Sequence, residues 1–501
     1  MVLAVLAACV GVIAVDNTIV NVALPRLQED LAASTSQLQW VVDAYSLLFA
    51  GALLTAGSLG DRFGRQRILL VGLGIFGFAS AMAATAGDAT TLTAWRGLMG
   101  IGGACIMPST LSLLTQVFPD PAERARAIGI WAAVAGAAVG IGPIAGGLLL
   151  ERFDWHAIFM VNPPLIVVLL GLVAWLVPDS RDPAKPRLDP VGAVLSTLGL
   201  VLVVYAVVEA PDGGLSTGVV VPALAGAVLL AAFIMWERAC DHPMLPLEFF
   251  ANRVFSGAVA TVALVYFALM GAMFLVPQYM QLVLGNTPLA SGLGMIALAA
   301  GLLVASLAST PVATRIGVRT TVAVGMASVA VGLAGASMVG PTTPEWVLAT
   351  GLGVVGVGLG LTLPQATNAI VGSVPQQKSG IASAVNDAVS ELGGSLGVAV
   401  LGAVLTTRYR SSIAQAVTDA GSAVDDLPAG VLEAVRESLG SASLAAPQAG
   451  RDAAEVITQT AGVAFTTGMG LAMMAAAVVV AAGAVMAWRV FPRSLPAAEH
   501  G

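Results

Sequence analysis

Charge is what this chain of 501 residues has least of. Asp, Glu, Lys and Arg together supply 10% of it, where a soluble domain carries roughly a quarter. An ordinary water-soluble fold is therefore excluded. Histidine and cysteine are just as sparse: His156, His242 and His500 are dispersed, and Cys9, Cys105 and Cys240 form no Cys-x-x-Cys pair. Neither a disulfide framework nor a thiolate or imidazole metal site is expected, and no cofactor is implied. No glycine-rich loop ends in the Gly-Lys-Ser/Thr of a phosphate cradle, and the glycine segment 136–147 lies inside an apolar run, where such a loop would be misplaced. ATP-driven work by this chain alone is thereby excluded. With a net charge of -7 and no basic stripe, nucleic acid is not a partner.

What is abundant is apolar: 57% of the residues are hydrophobic, and they gather in runs of about 20. Such runs cross a bilayer as helices that satisfy their own backbone hydrogen bonds. The fold class is an all-α integral membrane protein, and the 57 glycines suit close helix packing in lipid. Fourteen spans are expected, at 2–24, 38–58, 68–86, 92–114, 127–149, 156–177, 190–209, 219–237, 254–276, 290–310, 320–339, 346–369, 380–406 and 460–488. The run that starts at Val2 has no basic leader, so it is read as the first span and not as a signal peptide.

The turn from Gly57 to Arg67 anchors the topology, since Arg62, Arg65 and Arg67 mark its side as cytoplasmic. Counted from there, fifteen of the 22 basic residues fall on the cytoplasmic side and both termini are cytoplasmic. A long outer segment, 407–459, has seven acids against four arginines and is expected to hold a short surface helix near 428–439. The stretch 309–319 echoes the anchoring turn, with Arg315, Gly317 and Arg319 repeating its Arg-x-Gly pattern. Duplicated halves suit two bundles that rock about a midplane site. The organisation expected is a six-helix bundle over 1–177, an inserted helix pair with linkers over 178–253, a second six-helix bundle over 254–488, and a tail over 489–501.

Placing an isolated charge at a helix centre costs roughly 2.5 to 3.5 kcal/mol, so ionisable residues inside spans are the functional candidates. They are Asp16, Asp43, Arg96, Asp387 and Glu391. Asp387 and Glu391 are four apart and share a helix face. Two carboxylates in one partly desolvated cavity are suited to taking up and releasing a proton; a wet helix end is the competing reading. Asp43 lies between Trp40 and Tyr45, and acid plus ring is what an organic cation needs; a wet acid in an interfacial belt is the alternative. Arg96 can clamp a buried carboxylate, and a clamp that protonation competes with is also a coupling device. Tyr266, Met270, Met273 and Gln278 offer adaptable pocket wall, as do Gln365 and Asn368 beside Pro364, with core filling as the bland reading.

Several of these segments resemble one family. Gly57-x-x-x-Asp61-Arg62-x-Gly64-Arg65-Gln66-Arg67 resembles the cytoplasmic gate motif of the major facilitator superfamily. Residues 16–25 resemble the first-helix signature of its fourteen-helix drug:proton antiporters, and Arg96–Gly103 the fourth-helix motif, with Met99 where glutamine is frequent. Gly142-Pro143-Ile144-Ala145-Gly146-Gly147 resembles the fifth-helix antiporter motif. Residues 40–47 and 386–393 are similar to the second and thirteenth helices of the staphylococcal quaternary-ammonium exporters. The resemblance implies the major facilitator fold, two six-helix bundles plus two additional helices, and alternating-access export of lipophilic organic cations and drugs driven by the proton gradient. It implies proton coupling or cation recognition at Asp16, Asp43, Asp387 and Glu391. A monomer in the bacterial inner membrane is expected, with small-molecule drug, protons and lipid as its partners. Export of a specific neutral or anionic product, and a non-transporting membrane sensor or scaffold, are the other readings.

Overall fold

The computed structural model describes residues 1–180, 189–240, 243, 245, 247–374, 379–420 and 427–492. Residues 181–188, within the basic linker expected over 178–190, and the tail from 493 onward lie outside the described residues. The long helices are α1 (Val2–Leu31), α2 (Thr35–Phe63), α3 (Arg65–Ala83), α4 (Ala89–Val117), α5 (Pro121–Leu150), α6 (Ala157–Leu176), α7 (Pro190–Gly213), α8 (Thr217–Ala239), α9 (Arg253–Val283), α10 (Pro288–Ile316), α11 (Val318–Ala336), α12 (Glu345–Gly372), α13 (Ser379–Ala420) and α14 (Arg451–Val490). Among the described residues twelve helices are long and apolar enough to cross a membrane, or thirteen when the two limbs of α5, bent by 43°, count as one span. Helix α2 is outside that set, although its 29 residues reach about 43 Å at 1.5 Å per residue.

Two bundles result. In the first, α2 and α3 pack on α4, α1 on α5, and α3 on α6; in the second, α10 and α11 pack on α12, α9 on α13, and α14 on α11 and α13. The bundles meet where α2 lies on α13, where α1 approaches α9, and where α5 crosses the start of α10. Helices α7 and α8 pair with each other, and α7 lies against both α2 and α13, alongside that seam. Outward faces are apolar, as at Trp175, Val228, Leu307 and Val331, which is the surface that lipid covers.

The repeated turn is visible as geometry. Helix α2 gives way to α3 at Gly64, with φ of 116°, and α10 gives way to α11 at Gly317, with φ of 87°. Both junctions use the left-handed region that only glycine occupies cheaply. Two boundaries differ from the expectation. Helix α1 passes through Pro25 to Leu31 instead of stopping at residue 24. Helix α13 runs on to Ala420, beyond the expected end at 406, because Tyr409 and Ile413 keep a buried stripe at helical spacing while Arg408 and Ser411 face outward. The segment 407–459 holds the short helix expected near 428–439 and is helical over most of its described residues. It folds back as a cap of two short helices, Ala429–Glu437 and Leu439–Ala445. Tyr409 Oη donates to Val435 O at 2.8 Å, and Gln28 Nε2 of α1 donates to Ser438 Oγ at 2.8 Å.

Candidate functional site

Asp16 and Arg96 form the centre. The guanidinium Nη1 donates to Asp16 Oδ2 at 2.6 Å, and both side chains are fully buried. Arg96 Nε donates to Val41 O at 3.2 Å, and its Cζ lies 4.6 Å from the centroid of the Tyr45 ring. This ring face is attractive to a desolvated cation. The other carboxylate oxygen, Asp16 Oδ1, accepts from Asn162 Nδ2 at 2.8 Å. Asn162 also donates to Ser80 Oγ at 3.0 Å, and Ser80 donates to Phe159 O at 2.8 Å. Neither Asn162 nor Ser80 was among the sequence candidates. The one available signal was Asn-Pro-Pro inside an apolar run, which reads as a helix start.

Asn17, one residue and about 100° further round α1, turns the other way. Its Nδ2 donates to Glu391 Oε1 of α13 at 3.4 Å, across the two bundles. Ser46 of α2 and Tyr266 of α9 also face Glu391. Asp387 lies one turn before Glu391 and accepts from Asn386 Nδ2 at 3.1 Å, while Asn386 Oδ1 accepts from Thr367 at 3.1 Å. Asp387 and Glu391 are both half-buried, in contrast with Asp16.

The trio Trp40, Asp43 and Tyr45 is not brought together. Tyr45 is five positions from Trp40 and two from Asp43, so the helix turns its ring onto Arg96. Trp40 instead pairs with Tyr205 of α7, centroids 6.1 Å apart. Asp43 is fully buried on the α13 side, facing Ser395, and neither of its oxygens makes a hydrogen bond among the described residues. The pocket-wall candidates also divide. Met270 lies against Gly394 of α13 and Met273 is buried in the core. Gln278 Nε2 donates to its own helix at Phe274 O, 2.7 Å, Gln365 Nε2 reaches Ser309 Oγ of α10 at 3.4 Å, and Asn368 is exposed.

The motif turn binds the far end of α6. Arg65 N donates to Ser180 O at 2.9 Å, Gln66 Nε2 donates to Val177 O at 2.8 Å, and Arg67 Nε lies 3.6 Å from Asp179 Oδ2. Arg62 lies over the ring of Phe63 and Gly57 beside Pro108; the side chain of Asp61 is outside the described residues. The Gly142–Gly147 segment, with Pro143 and Gly146, lies where α5 touches both bundles. A Cβ on Gly142 would strike Thr18 of α1, and one on Gly147 would lie 2.6 Å from Leu289 Cα of α10. Three free cysteines, and no group of three potential metal ligands, occur among the described residues.

Two helical bundles packed against each other, with a buried ion pair inside the first, define a multi-pass membrane transporter. The profile of the Major Facilitator Superfamily matches residues 6–398. The chain is 38% identical over 489 residues to the multidrug efflux pump LfrA of Mycolicibacterium smegmatis, covering 97% of this chain and 95% of that protein. It is 35% identical over 488 residues to the tetracenomycin C resistance and export protein of Streptomyces glaucescens, 96% and 90% covered, and 35% identical over 406 residues to the methyl viologen resistance protein SmvA of Salmonella typhimurium, 80% and 81% covered. Its fold resembles a bacterial homologue of the human lysosomal transporter Spinster in an inward-facing, unoccupied conformation, with a TM-score of 0.68 at 17% identity, covering 98% and 97% of the two chains. The chain belongs to the Major Facilitator Superfamily, among its multidrug-resistance and efflux members. It is a transporter and not an enzyme.

Proposed function

We propose that this chain exports lipophilic organic cations and related drugs in exchange for protons, by alternating access. The observation that carries the reading is the linkage through consecutive residues of α1. Asp16 is paired with Arg96 inside the first bundle, while Asn17 reaches Glu391 in the second. Protons arriving from outside neutralise one or more of Asp16, Asp387 and Glu391 and release the drug outward; their loss to the cytoplasm restores the charges and favours capture. One proton crossing about 100 mV supplies roughly 2.3 kcal/mol, and each pH unit adds about 1.4 kcal/mol. One or two protons therefore sustain a useful gradient of a monocation. The proposed substrate contacts are Trp40, Asp43, Tyr45, Tyr266, Met270, Met273, Gln278, Gln365 and Asn368, of which Tyr45, beside Arg96, and Tyr266, beside Glu391, lie at the polar centre.

Fourteen spans fit this reading, α2 and the bent α5 completing the twelve. Both termini are then cytoplasmic in the bacterial inner membrane. Residues 1–177 and 254–488 are the proposed bundles, and 178–253 the insert. The test uses purified protein in proteoliposomes with an imposed pH gradient and labelled tetraphenylphosphonium. Asp387→Asn or Glu391→Gln abolishes pH-driven accumulation; unchanged flux in both variants removes the pair from the mechanism.

A second reading, export of one neutral or anionic product, is favoured by the separation of Asp43 from the Tyr45 ring and by a relative named for tetracenomycin C export. Failure of lipophilic cations to compete at any pH supports it.

A further inference from the structure

The hydrogen-bond ladder of α6 is broken near its start, between the turn Ala157–Met160 and the run Asn162–Leu176, because Pro163 and Pro164 bring no N–H, while the backbone at Val161 stays helical. Asn162 and Ser80 lie beside that break, both buried. Every proton in the chain of bonds around them can be assigned. An ionised carboxylate only accepts, so the amide nitrogen of Asn162 faces Asp16 Oδ1, at 2.8 Å. The same nitrogen donates to Ser80 Oγ at 3.0 Å, which commits both amide hydrogens. Ser80 has one hydroxyl hydrogen, committed to Phe159 O at 2.8 Å. The polarity of the relay is thus set at one end, by the negative charge of Asp16.

A neutral Asp16 reverses that polarity. Its new hydroxyl needs an acceptor, and neither the Arg96 guanidinium nor the Asn162 NH2 can provide one. The nearest remedy is a half-turn of the Asn162 amide, which brings its carbonyl oxygen to face Asp16. The oxygen that then faces Ser80 accepts from the serine, so the hydroxyl swings away from Phe159. The carbonyl released is the one in the broken turn of α6, and a buried carbonyl without a donor is costly to keep.

We infer that Asn162 is a positioning residue that reads the protonation of Asp16 and, through Ser80, passes it to the break in α6. This rests on the proton-coupled reading of Asp16 above. The charged or titratable groups around Asp16 are Arg96 from α4, Tyr45 from α2 and, through Asn17, Glu391 from α13. None of these touches Ser80 or Phe159 among the described bonds, so the relay is separable from them by mutation.

The experiment measures the pH dependence of tetraphenylphosphonium transport by the full chain in proteoliposomes, with Asn162→Leu and Ser80→Ala beside the wild type. Asn162→Leu moves the midpoint of the profile toward higher pH by about one unit, the scale of one lost charge-assisted hydrogen bond, with kcat falling about tenfold and KM within about twofold. Ser80→Ala leaves the Asn162–Asp16 bond intact, so its midpoint stays close to wild type while kcat falls about fivefold, as expected for a relay cut beyond the sensor. Should Asn162→Leu not fold, Ser80→Ala decides on the kcat loss at unchanged KM. Wild-type pH profile and kcat in both variants overturn the relay alone. A wild type indifferent to the pH gradient overturns the antiport reading, and the relay with it.

Discussion

Replacing Asp16 by asparagine strikes the centre of the molecule, and the size of the effect follows from the contacts. Asp16 accepts from Arg96 on one oxygen and from Asn162 on the other, at 2.6 and 2.8 Å. An asparagine has one carbonyl oxygen, so it can accept from one of these donors while its NH2 confronts the other. Arg96 is left as a buried cation without its countercharge, held by Val41 O, the Tyr45 ring and at most one neutral amide oxygen. Stranding one member of a buried pair costs about 3 to 5 kcal/mol, of which the ring returns nothing new because it is already in place. Asp16→Asn is therefore expected to lose about 3 to 5 kcal/mol, and Arg96→Met a similar amount. The double variant removes both charges, so its loss falls short of the sum by about 2 kcal/mol or more. Reversible unfolding in mixed micelles, followed by tryptophan fluorescence, measures all four corners of the cycle. Additivity to within about 0.5 kcal/mol would refute the pairing.

Three further outcomes follow from the packing. Gly147→Ala puts a Cβ 2.6 Å from the Leu289 backbone, so transport in vesicles is lost although the protein still inserts; wild-type flux would show that α5 and α10 need not approach so closely. Gln28→Ala and Ser438→Ala each remove the bond between α1 and the cap, a loss of about 1 kcal/mol. Both should raise labelling by an impermeant maleimide of a cysteine placed at Thr406, which lines the space beneath the cap, and equal labelling in all variants contradicts the latch. Asp88 caps α4 by accepting from Thr91 N and Thr91 Oγ1 at 2.9 and 2.7 Å, and these bonds hold its carboxyl below the usual range. Its contribution is therefore complete above the ordinary carboxylate pKa and fades as pH falls through the lowered value. Amide exchange in the first turn of α4 should quicken in Asp88→Ala at neutral pH and in the wild type only in acid.

The parts legible in the sequence were those that carry a physical price in lipid. A charge in an apolar run stands out, and Asp16, Arg96, Asp387 and Glu391 were found that way. The junction at Gly64 and its echo at Gly317 were legible because arginines flank a glycine between two spans. Neutral polar residues were not: Ser80 and Asn162 look like ordinary interruptions, and only the fold shows that both touch one carboxylate's network. The phase of α2 was legible in principle, since positions 43 and 45 differ by about 200° on a helix, yet adjacency in sequence put Asp43 and Tyr45 together. The end of α13 was misplaced because Arg408 and Arg410 look like a membrane exit, whereas a helix that leaves the bilayer can continue wherever one face stays buried.

The distribution of polar contacts between the two bundles bears on how little energy is needed to move them. Across the seam, Asn17 reaches Glu391, Gln28 reaches Ser438 in the cap, Gln39 reaches Val398 and Ala399, Gln281 reaches Val22, and Thr287 reaches Glu151. Apart from the Asn17 bond near the centre, these lie toward the end of the molecule opposite the Gly57–Arg67 turn. A typical bond of this kind contributes about 1 kcal/mol net, so the polar seam as a whole is on the order of 5 kcal/mol. Two protons crossing about 100 mV release roughly 4.6 kcal/mol. The charged pair that would be expensive to break, Asp16 with Arg96, is inside one bundle and travels with it. A seam of separable hydrogen bonds, with the Asp16–Arg96 pair kept off it, is what the proposed antiport requires for a proton-sized free energy to open one end and close the other.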